Sequence, residues 1–310
     1  MNKTTLIRLG YGLLLTALLA APQVAYPVLL MKVLCFALFA CAFNLLLGYT
    51  GLLSFGHAAF FGTAAYVAGY AMKAWLLPTP TSILLGTLAA AALGWLFGSL
   101  AIRRQGIYFA MVTLALAQMM YFFFIQAPFT GGEDGLQGVP RGSLFGIVSL
   151  ADDLNLYYFV LAICVAGFWL IHRTIHSPFG QVLKAIRENE GRAISLGYDV
   201  ARYKLLAFVL SAGLAGLAGA TKAVVFGFAS LTDAHWHMSG DVVLMTIVGG
   251  LGTIFGPVVG ASIIVILEDQ LADKVGSLVS VIMCCIFVTC VLLFRRGIVG
   301  EIAALKQRYS

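Results

Sequence analysis

What most constrains this chain is a succession of apolar segments, most of them near the length of a bilayer-crossing helix. They run at roughly 6–22, 27–48, 57–74, 82–101, 107–127, 155–172, 204–227, 241–250, 257–270 and 277–294. A helix rises about 1.5 Å per residue and the hydrocarbon core is about 30 Å thick, so about 20 apolar residues suffice to cross it. Hydrophobic residues make up 61% of the 310 and charged residues only 10%. A soluble domain is nearer half apolar and a quarter charged, and a compact soluble fold of this length has no room to hide so much apolar surface. The sequence therefore predicts an all-α integral membrane protein. Residues 1–310 form a single transmembrane domain, with about nine to ten spanning or half-spanning helices.

Charge sets the orientation. The formal net charge is +6, and basic residues concentrate in cytoplasmic loops of membrane proteins. Arg103 and Arg104 sit between two spans. A segment over 173–204 carries Arg173, Lys184, Arg187, Arg192, Arg202 and Lys204, and the tail carries Arg295, Arg296, Lys306 and Arg308. All three are expected in the cytoplasm. The loop over 128–154 has Arg141 against Glu133, Asp134, Asp152 and Asp153, and it is expected to face outward. The first apolar segment follows Lys3 and Arg8 and is read as a retained helix rather than a cleaved signal peptide. Both termini then lie inside. Lys32 is expected to snorkel to the outer interface, and so is Lys222.

Alternation produces one conflict. A single crossing over 241–270 would leave Arg295 and Arg296 outside. Two passes are needed, and Gly249, Gly250, Gly252, Gly256 and Pro257 mark where the run breaks. Residues 241–250, about ten at 1.5 Å each, cover about half the core. A short or re-entrant half-helix is predicted, with irregular backbone sheltered by protein or lining a cavity. An earlier break holds Gly48, Gly51, Gly56 and Gly62 beside Thr50, Ser54, His57 and Thr63. "SFGHAAFFGT" and "IFGPVVGA" share Phe-Gly followed by a second Gly, which admits two readings: an internal repeat around a central pathway, or glycines for close helix packing. For Gly213, Gly216 and Gly219 the packing reading is preferred.

No catalytic constellation is present. The chain has no phosphate-binding loop, no nucleophile elbow and no His-Glu-x-x-His, so an enzymatic role is not expected. His172 with His176 lack an acidic third ligand, and for His235 with His237, beside Asp233 and Asp241, zinc is conceivable but an aromatic interface anchor is the preferred reading. The histidines of "HWH" are read as flanking an aromatic interface anchor. All six cysteines lie in apolar segments and behave as small hydrophobes. Scattered basic residues without a recognition motif argue against nucleic acid as a partner. No cofactor is expected. Polar residues inside the membrane are costly and must face protein or water. Asn44, Ser54, His57, Gln118 and Thr253 are the candidates for lining a pathway, with interhelical hydrogen bonding as the competing reading.

The polar stretch "SPFGQVLKAIRENEGRAISLGYD" lies between apolar segments and patterns as an amphipathic helix. With the residues that follow, it resembles the cytoplasmic signature of LivM-type permeases of branched-chain amino-acid ABC importers. "GYTGLLSFGHAAFFGTAAY", "TGGEDGLQGVP" and "GGLGTIFGPVVGA" resemble three further motifs of that family, in family order, from Gly48 to Ala261. Gln181 stands where the family pattern has Arg, and Tyr198 where it has a small aliphatic residue. The resemblance implies a permease subunit without an ATPase of its own, located in the bacterial inner membrane. It implies two ATP-binding subunits, a LivH-type partner permease and a periplasmic solute-binding protein as partners, with the bilayer as solvent. It further implies that residues 173–204 couple to an ATP-binding subunit. Apolar Val182, Leu183, Ile186, Ala193, Ile194 and Leu196, with Ala185 among them, would fill a groove there, and Lys184, Arg187, Glu188, Glu190 and Arg192 would make rim contacts. In the outer loop, Gly131, Gly132 and Gly135 are expected to form a tight turn with positive φ, presenting Glu133 and Asp134 to the binding protein. Relatives of similar pattern carry urea, amides or other small solutes, so the motifs leave the solute open. The rival classes are an ion-coupled secondary transporter and a membrane-embedded enzyme.

Overall fold

A computed structural model describes residues 16, 18–23, 25–144, 148–275, 281–282, 284–286, 288–289 and 297–301. The first and last apolar segments and the tail's basic residues lie largely or wholly outside the described residues, with the expectations that rest on them. The remaining segments are helices α1 (Pro27–Thr50), α2 (His57–Ala74), α3 (Thr79–Ala101), α4 (Ile107–Gln126), α5 (Asp153–Ile175), α6 (Pro178–Glu188), α7 (Glu190–Ser195), α8 (Val200–Phe226), α9 (Trp236–Gly249) and α10 (Gly256–Val275). Five of these, α1, α3, α4, α5 and α8, are long and apolar enough to cross a membrane by themselves. Short strands occur among the described residues as β1 (Leu136–Gln137) antiparallel to β4 (Phe228–Ala229), and β2 (Ser143–Leu144) antiparallel to β3 (Val148–Ser149). The protein is an all-α integral membrane protein.

Local chemistry sets the helix ends. Pro27 opens α1 at its first turn, where a missing N–H costs nothing. Gly51 closes it in the left-handed region at φ 77°, its N–H donating to Leu47 O while the Leu52 N–H reaches back to Leu46 O. Ser177 caps α6 by accepting from the Gly180 N–H, ahead of Pro178, as the Ser-Pro pair predicts. Asn189 caps α7 and Asp199 caps α8 in the same way.

Helix α8 is the central post, packed on α1, α2 and α3. Its glycines bring neighbours to backbone contact. A Cβ on Gly219 would lie 2.1 Å from the Phe61 carbonyl oxygen, and one on Gly216 would lie 2.3 Å from the Ala90 Cβ. Small residues admit such approach where the hydrophobic effect cannot drive helices together. The lipid-sized stripes lie on outer helices, for example Leu84, Leu88 and Trp95 of α3 and Met111, Met119 and Phe122 of α4, all exposed.

The bundle has two distinct ends. Gly98 of α3 packs on Leu205 and Phe208 of α8, so the loop with Arg103 and Arg104 shares an end with α6 and α7. At the other end β1 pairs with β4, and Arg141 reaches both Asp153 and the Val225 carbonyl. Lys32 does not merely snorkel: it pairs with Asp269 of α10 at 3.3 Å, which places the end of α10 beside the start of α1.

The predicted half-helix is longer at its start than its apolar core suggests. Helix α9 has 14 residues, about 21 Å of rise, still short of a full core. The rest of that pass is irregular. From β4 the chain makes a 3-10 turn, Leu231–Ala234, against Gly62 of α2. Within α9 the Ser239 hydroxyl accepts from the Ala58 N–H, and beyond the helix Gly252 lies against Gly48. Non-helical backbone at this depth is tolerated because helices enclose it.

Candidate functional site

The two glycine-rich breaks meet. Gly48, in the last turn of α1, has no room for a side chain: a Cβ there would lie 2.1 Å from Asn44 Oδ1 and 2.8 Å from the Gly252 nitrogen. Asn44 bridges the junction with both ends of its amide. The Gly252 N–H donates to Asn44 Oδ1 at 3.0 Å, and Asn44 Nδ2 donates to the Thr253 carbonyl at 2.9 Å. The Thr253 hydroxyl then donates to the Gly250 carbonyl at 2.8 Å and accepts from the Gly256 N–H at 3.0 Å, at the first turn of α10. Positive φ at Gly51, Gly250 and Gly252 turns the backbone at both breaks. The interhelical hydrogen-bonding reading thus describes Asn44 and Thr253.

The other predicted polar residues lie apart from this junction. His57 is fully buried, ringed by Phe43, Phe60 and Phe208. The Ser211 hydroxyl donates to the Ala42 carbonyl at 2.5 Å and therefore accepts from His57 Nε2–H at 2.8 Å. This chain ties α1, α2 and α8 together. It also sets the start of α2 beside Ala42, well back along α1, so residues 51–56 fold back alongside the helix they leave. Ser54 is buried in that stretch and accepts from the Gly56 N–H. Gln118 is half-buried on α4 and makes no hydrogen bond among the described residues.

Part of the apolar set expected to fill a groove is turned inward, and part is left exposed. Leu183 is 0% and Ile186 3% exposed. Ile186 packs with Ala193 and Val200 within the chain, beside Val182 and Tyr203. Their face is consumed in holding α6 and α7 to the bundle, so it does not supply a groove filler. Periodicity identified the apolar face, but not that the chain's own helices would cover it. The apolar side chains left exposed are Ile194 at 57%, Leu196 at 69% and Tyr198 at 41%. Ala185 and Glu188 are exposed. Glu190 pairs at 2.7 Å with the buried Lys204, so it is an internal contact as well.

Arg187 is the residue whose contact sequence reasoning missed. Although exposed, it reaches back from α6 and donates from Nη1 to the Gly48 carbonyl at the junction. Its methylenes lie against Gly51 and its guanidinium against Gly252. Tyr49, Lys184, Arg187, Glu188 and Gly252 line an open cleft of about 480 Å³ at this end. Lys184 sits 5.7 Å from the Tyr49 ring centre, a cation–π distance.

At the opposite end Gly131, Gly132 and Gly135 all have positive φ, and a Cβ on Gly135 would lie 2.5 Å from the Ala229 carbonyl. Glu133 and Asp134 are exposed at the tip. Beneath them Lys222 does not snorkel. Its Nζ lies 2.7 Å from both carboxylate oxygens of Asp233, which is 1% exposed, and it sits over Phe226 and Phe228. The need of an intramembrane lysine for a partner was the available signal; Asp233 lay eleven positions on. "HWH" is also not a simple surface anchor. His235 caps α9 and packs on Tyr121 at 4.8 Å between ring centres.

These features define a polytopic helical membrane protein whose broken helices converge beneath a docked amphipathic segment. The family described as branched-chain amino acid transport system / permease component matches residues 28–294, and the chain belongs to it. It is 29% identical over 253 residues to the high-affinity branched-chain amino acid transport system permease protein LivM of Escherichia coli (strain K12). That match covers 74% of this chain and 60% of the relative, so it spans less than two thirds of the relative's length. The chain is 28% identical over 184 residues to the autoinducer 2 import system permease protein LsrC of Klebsiella pneumoniae, covering 56% and 50%. It is 31% identical over 140 residues to a probable branched-chain amino acid transport permease protein LivH of Methanocaldococcus jannaschii, covering 44% and 41%. No solved structure matches.

Proposed function

We propose that this chain is the transmembrane permease subunit of an ATP-driven importer that moves branched-chain or related amino acids inward by alternating access. The observation that carries the reading is the pair α6–α7, a polar double helix at the basic end whose outer side exposes Ile194, Leu196 and Tyr198. Exposed apolar side chains beside charged ones suit a protein partner. Burying Leu196 fully contributes about 1.5–3 kcal/mol, whereas an exposed ion pair contributes about 0–1 kcal/mol. The docking face is therefore assigned to α7 and the turn after it, not to Leu183 and Ile186. The partners are two ATP-binding subunits on the basic side, a LivH-type permease, and a solute-binding protein at the opposite end, where Glu133 and Asp134 project. By the distribution of basic residues, α6–α7 face the cytoplasm of a bacterial inner membrane and both termini lie inside.

The similarity to LsrC, an autoinducer 2 import system permease protein, favours a second reading of the solute alone, in which the same machinery carries another small organic molecule; urea and amides are solutes that the motif resemblance leaves open. An ion-coupled carrier has less support. It needs an available intramembrane acid, and the buried Asp233 is already held by Lys222. Reconstituting the chain with its cognate partners and measuring uptake of radiolabelled leucine, urea and acetamide tests both points. ATP-dependent leucine uptake is expected. Uptake driven by an ion gradient without ATP would overturn the importer reading, and urea or acetamide uptake without leucine would shift the solute.

A further inference from the structure

The junction described above is a hydrogen-bonded chain with α6 at one end and the start of α10 at the other. It runs from Arg187 to the Gly48 carbonyl, alongside it from Asn44 to Gly252 and Thr253, and from Thr253 to Gly256. Every backbone approach in it needs glycine. A Cβ on Gly48 would collide with Asn44, and one on Gly252 would lie 3.1 Å from the Arg187 guanidinium. Arg187 of α6 therefore touches both breaks. It does so from a helix whose own apolar face is fastened to the bundle through Leu183 and Ile186. A displacement of α6 cannot leave the Arg187 contact unchanged.

We propose that Arg187 is a latch, a positioning residue that holds the α1 terminus and the α9–α10 break together at the basic end. Movement of α6–α7 withdraws the guanidinium from the Gly48 carbonyl and lets the two breaks pivot about Asn44. This inference rests on the docking role of α6–α7 and adds the route by which docking reaches the helices. The guanidinium suits the task because its charge strengthens a hydrogen bond to a carbonyl that the helix end leaves free. Asn44 stays behind as the hinge pin, since both ends of its amide are bonded to the α9–α10 break.

The test uses the assembled transporter with Arg187→Ala and Arg187→Lys, neither of which alters the buried face of α6. ATP-binding subunits should copurify with Arg187→Ala at wild-type yield and hydrolyse ATP. Leucine moved per ATP should fall about tenfold or more, and Arg187→Lys should recover most of it. Hydrogen exchange gives a readout independent of solute. In Arg187→Ala the peptides over 44–52 and 249–256 should exchange about tenfold faster, with α3 and α8 unchanged. Wild-type exchange and wild-type leucine per ATP in Arg187→Ala would overturn the latch. So would loss of the ATP-binding subunits from that variant alone, which would place Arg187 in the docking surface. Failure of the docking reading itself would show already in the wild-type complex, which would bring down no ATPase, and the latch would fall with it.

Discussion

Two sets of glycines in this molecule look alike in sequence and act in opposite ways. Gly213, Gly216 and Gly219 lie in α8, which continues unbroken for 27 residues. There the missing side chains let α2 and α3 press against a straight helix. Gly48, Gly51, Gly250 and Gly252 lie where helices end, and three of these four adopt positive φ. The difference lies in the neighbours. Around the α8 glycines the sequence is Ala and Leu, which prefer a helix. Around the breaks stand Asn44 and Thr253, whose side chains bond backbone groups beyond the helix ends. Glycine density marks close approach, and the polar companions decide whether the helix survives it.

The comparison can be broken at several points. The largest effect is expected from Gly219→Val, because the new carbons would meet the Phe61 backbone, which has nowhere to move. A loss of about 3 kcal/mol or more is expected, read as collapse of monodisperse yield and thermal stability in detergent. Wild-type stability would show that α8 packs less tightly than described. Asn44→Ala comes next. It strands the Gly252 N–H and the Thr253 carbonyl, at about 1–3 kcal/mol for each group that stays dry. The loss should appear as faster hydrogen exchange at 249–256 more than as global unfolding. Gly252→Ala forces a left-handed alanine at about 1–2 kcal/mol and crowds Arg187, so exchange at the junction should rise less than in Asn44→Ala. The smallest effect belongs to Gly213→Ala. Its Cβ would meet Ala91 at an ordinary 3.5 Å, and alanine is the better helix former by about 0.5–1 kcal/mol. Stability should hold or rise slightly; a loss comparable to Gly219→Val would erase the distinction between tight and loose glycines on one helix.

Much of the architecture was legible. Apolar length located the spans, Gly51 and the Ser177-Pro178 pair marked helix ends, and the charge conflict called for a broken pass near Gly250. The contacts that make the junction were not legible. Asn44 and Thr253 are 209 positions apart, and Arg187 and Gly48 are 139 apart. Nothing local in the sequence of either partner names the other. The inward turn of Leu183 and Ile186 was hidden for a related reason. A period of 3.6 identifies an apolar stripe but not what covers it, and here the stripe turned inward. Lys222 was misread because snorkelling needs only a long side chain, whereas the pairing with Asp233 depends on a 3-10 turn that places the acid beneath β4.

If the outer side of α7 docks an ATP-binding subunit while the apolar face of α6 serves the chain itself, two substitutions of the same chemistry have different effects. The measurement is copurification of ATP-binding subunits with Leu196→Asp and with Leu183→Asp, each compared with thermal stability of the permease alone. Leu196→Asp should keep wild-type stability and lose most of the bound ATPase, while Leu183→Asp should destabilise the permease itself by about 3 kcal/mol or more. Full retention of ATPase by a stable Leu196→Asp protein would contradict the account.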